Sequence, residues 1–154
     1  MTNTVPAVGS IAPDFTLQDS TRTDVTLSSL RGRNVLLAFF PLAFTSVCTA
    51  ELCDMRDDWD QFAGANTVVL AISVDSTATL AEFKRQHGMT SELLSDFRRD
   101  VSRAYGVLLE DRFHSARAYF LIDPAGVIRW SHVEEHTGNK RTNAELLEQM
   151  AALT

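Results

Sequence analysis

Residues 35–40 read Val-Leu-Leu-Ala-Phe-Phe, six consecutive apolar side chains stopped by Pro41. Strict alternation would mark a strand with one wet face; an unbroken apolar run of this length marks a strand buried on both faces. Such a strand needs structure packed above and below it. Residues 67–74, Thr-Val-Val-Leu-Ala-Ile-Ser-Val, repeat the pattern and give a second buried strand.

The segment between them carries Leu52, Met55, Trp59 and Phe62 at helical spacing, so residues 46–63 are expected to be helical, capped by Thr45 or Ser46. Residues 77–87 form a second expected helix, stopped by Gly88. Shorter elements fill the rest: edge strands at 13–17 and 23–27, a strand at 93–95, a short helix at 100–105 before Gly106, and a final helix at 142–153. Residues 116–122 and 127–133 flank Asp123-Pro124-Ala125-Gly126, which places Pro and Gly where a β-hairpin turn wants them. A βαβ unit followed by a hairpin and a helix fits a thioredoxin-like α/β fold, a central mixed sheet with helices on both faces and an N-terminal β extension.

Composition bounds what such a fold does. At 154 residues with no repeat or linker-like stretch, residues 1–154 are expected to form a single domain. No apolar run approaches the roughly 18–20 residues that span a bilayer. The net charge of −6 argues against an extended phosphate-binding surface, so neither a membrane nor a nucleic acid is an expected partner. The first ten residues lack the basic start and apolar core of a signal peptide, which makes a cytoplasmic location the default. In a reducing compartment the two cysteines, Cys48 and Cys53, are expected to be catalytic, metal-binding or buried rather than a structural bridge.

Cys48 falls between a buried strand and a helix start, in the stretch Pro41-Leu-Ala-Phe-Thr45-Ser-Val-Cys48. Sulfur is nucleophilic as thiolate, and a helix N-terminus favours the anion through unpaired N–H groups and a partial positive charge. Thr45 could hydrogen-bond the sulfur, and Pro41, lacking an N–H, could wall off water. An inert buried thiol is the bland alternative; the junction and the neighbouring Thr and Pro favour the reactive one.

The pattern Pro41-x-x-x-Thr45-x-x-Cys48 resembles the active-site motif of the peroxiredoxins, and its surroundings, Phe-Phe-Pro41-Leu-Ala-Phe-Thr45-Ser-Val-Cys48-Thr-Ala-Glu51-Leu, are similar to the one-cysteine alkyl hydroperoxide reductase E branch. Further matches lie at Gly9 to Phe15, Leu94-Ser95-Asp96, Ala104-Tyr105-Gly106-Val107 and Arg117 to Asp123. The resemblance implies a thioredoxin fold and a cysteine-based peroxidase that needs no metal or organic cofactor. It makes Cys48 the peroxidatic residue that attacks hydrogen peroxide or an organic hydroperoxide and becomes sulfenic acid. Thr45 would hold the peroxide, Pro41 would shield the sulfenate, Arg117 would stabilise the thiolate and the departing oxygen, and Glu51 would orient Arg117. Without the motif, Arg117 would read as a solvated strand-edge charge and Glu51 as a partner of the helix dipole, worth about 0.3–1 kcal/mol. The resemblance also implies a thiol reductant, whether thioredoxin, a glutaredoxin-like protein or a low-molecular-weight thiol, and a homodimer formed through the edge that includes the loop before Cys48.

Cys53 departs from the one-cysteine branch and resembles the resolving cysteine of the Q-type peroxiredoxins, which shares a helix with the peroxidatic one. In an intact helix five residues separate Cα atoms by about 8.7 Å, beyond the roughly 7 Å a disulfide tolerates. Pairing therefore requires the first turns of the helix to unwind. A structural, unreactive Cys53 is the alternative.

Other classes find less support. A thioredoxin-type carrier wants Cys-x-x-Cys at the helix start, whereas four residues separate these cysteines; a non-catalytic binding domain on the same fold would leave Thr45 and Arg117 dispensable. His132-Val-Glu-Glu135-His136 matches the inverzincin pattern, but that motif needs a helix and here it ends a strand-like alternation. His87 is expected to serve the helix C-terminus, and His114 to lie in a loop. No Walker A, G-x-G-x-x-G or G-x-S-x-G motif is present.

Overall fold

A computed structural model describes residues 4–45, 49–50, 52–53, 61, 67–89, 92–136 and 140–152. Among these, nine strands are defined: β1 (Thr16–Asp19), β2 (Asp24–Thr26), β3 (Asn34–Phe39), β4 (Thr67–Ser73), β5 (Glu92–Ser95), β6 (Leu108–Leu109), β7 (His114–Ser115), β8 (Ala118–Ile122) and β9 (Ile128–Val133). They are joined by a 3-10 turn at Leu27–Leu30 and by helices α1 (Thr77–His87), α2 (Asp100–Ala104) and α3 (Asn143–Ala151). Seven strands form one sheet in the order β2-β1-β5-β4-β3-β8-β9. Strands β3, β4 and β5 run parallel, while β8 and β9 on one side and β1 and β2 on the other are antiparallel.

The run at 35–40 is buried throughout, and its alternation sorts side chains onto two cores. Leu36, Ala38 and Phe40 face one layer with Leu80 and Phe83 of α1 and Leu146 and Met150 of α3. Val35, Leu37 and Phe39 face the other with Val101 of α2, Tyr105, Phe120 and Phe15. Helices cover both faces and the β1–β2 hairpin extends the β5 edge, as expected of a thioredoxin-like sheet.

Local chemistry sets the boundaries. Ser76 caps α1 by accepting the Thr79 N–H at 3.2 Å, and Gly88 ends it in the left-handed conformation, where a side chain is disfavoured. Thr142 caps α3 in the same way through Glu145. In the β8–β9 turn the Asp123 carboxylate accepts the N–H groups of Ala125 and Val127, each at 2.9 Å. The first strand begins later than expected, at Thr16, because Pro13 has no N–H and the Asp14 carboxylate is spent on the Ser28 N–H. His114 lies in β7 of a small hairpin with β6, not in a loop. Of the helix expected over 46–63, the described residues 49–50, 52–53 and 61 are helical; Ser46, Met55, Trp59 and Phe62 lie outside the described residues.

Two positions carry large local constraints. Gly106 has φ +67°, and a Cβ there would lie 2.4 Å from the backbone carbon of Thr4. Gly106→Ala is expected to lower stability by more than the roughly 1–2 kcal/mol of a left-handed alanine, because the N-terminal segment must also move; urea unfolding reads this directly. Asp96 is buried and accepts hydrogen bonds from the Ser102 hydroxyl and N–H, both at 2.7 Å, and from the Val101 N–H. Burial pushes its carboxyl above the ordinary range despite these bonds, which act in the opposite direction. A carboxyl raised in the folded state binds its proton more tightly there, so its contribution to stability falls as pH rises from the unfolded value through the folded one. Removing it with Asp96→Asn is expected to flatten that part of the stability curve, measured by urea unfolding between mildly acid and neutral pH.

Candidate active site

Three elements converge where β3 ends. The Phe40 N–H donates to Ile72 O of β4 at 2.9 Å, and Phe40 O accepts the Ser115 hydroxyl at 3.2 Å. Pro41 follows, buried, and the chain then turns away from the sheet. The turn is anchored by Asp75, just past the end of β4, whose Oδ2 accepts the Ala43 N–H at 2.8 Å and the Ser73 hydroxyl at 2.7 Å. The Asp75 carbonyl accepts the Ser95 hydroxyl at 2.6 Å, tying in β5 as well.

Phe44 comes next, with φ +67°, a conformation unusual for a bulky residue, and its side chain is 46% exposed. Its ring packs nearly perpendicular to that of Phe83 of α1, with centroids 5.1 Å apart. Thr45 then presents its hydroxyl. That hydroxyl donates to Leu42 O at 2.7 Å, and the Thr45 carbonyl accepts the Thr49 N–H at 2.9 Å, an i to i+4 bond. A hydroxyl has one proton and two lone pairs. With the proton turned to Leu42, the Thr45 oxygen keeps its lone pairs as acceptors; the sulfur expected beside it, that of Cys48, lies outside the described residues.

Arg117 is 1% exposed, which overturns the reading of it as a solvated strand-edge charge. It immediately precedes β8, and the antiparallel register that pairs Phe39 with Ala118 brings Arg117 opposite Phe40, beside the end of β3. Its carbonyl accepts the Glu134 N–H at 2.9 Å. Thus Pro41 and Arg117 flank the end of the central strand, and the loop that carries Thr45 leaves from that same end. Cys48 and Glu51 lie outside the described residues. Cys53 is described: a free, half-buried thiol packed against the core that contains Phe83.

Several residues of this end escaped the sequence reading. Asp75 carried a signal, a charged residue just after a buried parallel strand, where open α/β sheets build their sites. Glu134 carried none: its carboxylate is buried between His132 and Arg141, with Arg141 Nε 3.0 Å from Oε1. His132 belongs to strand β9, so the His132 to His136 pattern lacks the helix a zinc hydrolase would need. His87 does more than close α1; its ring lies 4.6 Å from that of Phe83, and its Nδ1 is 3.9 Å from Cys53 Sγ.

The loop anchor is open to test. Asp75→Ala strands the Ala43 N–H, a loss of about 1–3 kcal/mol for a buried donor, and loosens the loop that holds Thr45. Oxidation by peroxide, followed by stopped-flow fluorescence, is expected to slow about tenfold or more, since small displacements of positioning groups are costly.

Comparison with known proteins agrees with this architecture. The sequence pattern of the AhpC/TSA family matches residues 8–131. Alkyl hydroperoxide reductase E of Mycobacterium tuberculosis is 43% identical over 150 residues, covering 96% of this chain and 97% of that protein. Among solved structures, the reduced 2-Cys peroxiredoxin of Plasmodium vivax superposes with a TM-score of 0.86 at 32% identity, over 96% of this chain and 82% of that one. Peroxidoxin BcpB of Mycobacterium tuberculosis gives 0.85 at 30% identity, over 96% and 97%. With the family pattern over most of its length and this fold beneath it, the chain belongs to the AhpC/TSA family: it is a peroxiredoxin, a cysteine-based peroxidase similar to alkyl hydroperoxide reductase E.

Proposed function

We propose that Cys48 is the peroxidatic residue of this thiol-dependent peroxidase and that it reduces hydrogen peroxide and organic hydroperoxides. The Cys48 thiolate attacks the nearer peroxide oxygen, a sulfur–oxygen bond forms as the O–O bond breaks, and the departing oxygen takes up a proton to leave as water or an alcohol. Charge is shared between sulfur and the leaving oxygen in the transition state, where preorganised donors act most strongly. Arg117 supplies them: a guanidinium keeps its charge at physiological pH and carries donors in a fixed fork. Thr45, an acceptor once its proton is given to Leu42, receives the peroxide O–H and aligns the O–O bond. Pro41 keeps water from the sulfur, and Glu51 orients Arg117.

The observation that carries this reading is the burial of Arg117 at the end of β3, on the strand pair that also launches the Thr45 loop. A guanidinium is held in the interior only where it is paired and hydrogen-bonded, and on this reading such fixing also orients its fork toward the loop that follows β3. Cys53 is read as the resolving residue: sulfenic acid at Cys48 condenses with the Cys53 thiol, and a thioredoxin, a glutaredoxin-like protein or a small thiol reduces the resulting disulfide. This requires the residues between them to leave the helical conformation.

The chain is further proposed to act in the cytoplasm, as a homodimer joined through the edge that includes the Phe44 loop. Among the described residues no helix is long and apolar enough to cross a membrane. Sedimentation at micromolar concentration tests the dimer. Mass mapping after one equivalent of peroxide and thiol alkylation tests the chemistry: a Cys48–Cys53 disulfide supports the resolving role, whereas sulfenic or sulfinic acid at Cys48 beside an alkylated Cys53 sinks it.

A further inference from the structure

We propose that His87 is the proton acceptor that activates Cys53 for its attack on the Cys48 sulfenic acid, an inference that rests on the reading of Cys53 as the resolving thiol. The two groups come from separate elements, yet Cys53 Sγ and His87 Nδ1 are 3.9 Å apart, within hydrogen-bond reach for sulfur. The imidazole is held by aromatic contacts, 4.6 Å from the Phe83 ring and 6.5 Å from that of Phe44. Its place at the last position of α1, closed by Gly88, fixes the backbone that carries it. A resolving thiol must become thiolate to attack, and a half-buried sulfur has limited access to water as the base. Imidazole is the side chain suited to take and return a proton near neutral pH.

The step balances without an added reactant. The Cys53 proton passes to His87 Nδ1, and the thiolate forms a sulfur–sulfur bond with Cys48 as the sulfur–oxygen bond of the sulfenic acid breaks. The imidazolium then returns its proton to the departing hydroxide, giving water and neutral His87. Cys53 sulfur is oxidised and the sulfenic sulfur is reduced. Phe44, packed on Phe83 and His87, joins the loop before Cys48 to the same cluster.

The test uses variants of the full chain at His87 and Cys48. His87→Phe keeps ring packing against Phe83 and Phe44 but has no base; His87→Ala leaves room for added imidazole. After one equivalent of hydrogen peroxide, quenched-flow mass spectrometry is expected to show disulfide formation slowed about tenfold or more relative to sulfenic acid formation in both, with imidazole restoring the rate in His87→Ala. In a Cys48→Ser background, alkylation of Cys53 by iodoacetamide is expected to slow by a comparable factor when His87 is replaced. Disulfide formation at the wild-type rate in His87→Phe, or alkylation of Cys53 indifferent to His87, overturns the role of His87 alone. A wild-type protein that forms no disulfide overturns the reading of Cys53 beneath it, and the two failures are thereby told apart.

Discussion

Cys48→Ser is expected to reduce peroxide consumption to the level of buffer while leaving the fold intact, as read by circular dichroism and urea unfolding. Serine is close in size but, with its far higher pKa, supplies no anion at neutral pH, and the proposed mechanism requires an activated nucleophile. Cys53→Ser behaves differently on the same account. The first turnover proceeds, because the peroxide step needs only Cys48, but the oxidised enzyme then holds sulfenic acid and passes to sulfinic acid under excess peroxide. A Cys48→Ser protein that still consumed peroxide, with Cys53→Ser inactive, would reverse the assignment of the two sulfurs.

The second large effect is at Arg117. Replacing it with Met is expected to slow oxidation of Cys48 by about 10²–10³, the usual cost of removing one preorganised donor from a developing anion. Because Arg117 is buried, its replacement also disturbs packing. Arg117→Lys separates the two: it keeps a positive charge but not the planar fork, so it is expected to retain faster alkylation of Cys48 by iodoacetamide than Arg117→Met, while remaining slower than wild type with peroxide. Equal rates in Lys and Met variants would reduce Arg117 to a structural residue. Stopped-flow fluorescence and iodoacetamide alkylation supply the two readouts.

Elements whose burial leaves a local trace were legible in the residues. The apolar runs at 35–40 and 67–74 became β3 and β4, and helix α1 ended where Gly88 said it would, because caps and two-faced burial are written in neighbouring side chains. The hairpin around Asp123 was legible for the same reason, since the turn carries its own hydrogen bonds. Strands β6 and β7, two residues each, are too short to show a period. The 3-10 turn at Leu27–Leu30 shares only Leu27 with the strand expected over 23–27, and its other residues carry no period.

Site residues divide along the same line. Pro41 and Thr45 were found as a local motif, and both lie in the segment that leaves the end of β3. Arg117 is far from them in sequence, and residue type alone argues for exposure; only sheet register explains why it is buried beside Phe40. Asp75 and His87 make their contacts across elements, with Ala43 and with Cys53, and no spacing in the chain records such contacts. What the structure adds is therefore chiefly the contacts between elements around the candidate site.

The central claim is that one cysteine, Cys48, receives the peroxide oxygen. Its most direct test is rapid mixing of the reduced protein with one equivalent of hydrogen peroxide in the presence of a sulfenic-acid trap such as dimedone, followed by peptide mapping. The account predicts the trap on the Cys48 peptide at the earliest times, giving way to a Cys48–Cys53 disulfide when the trap is omitted. Trap found first on Cys53, or a Cys48 thiol that survives peroxide unmodified, would contradict it.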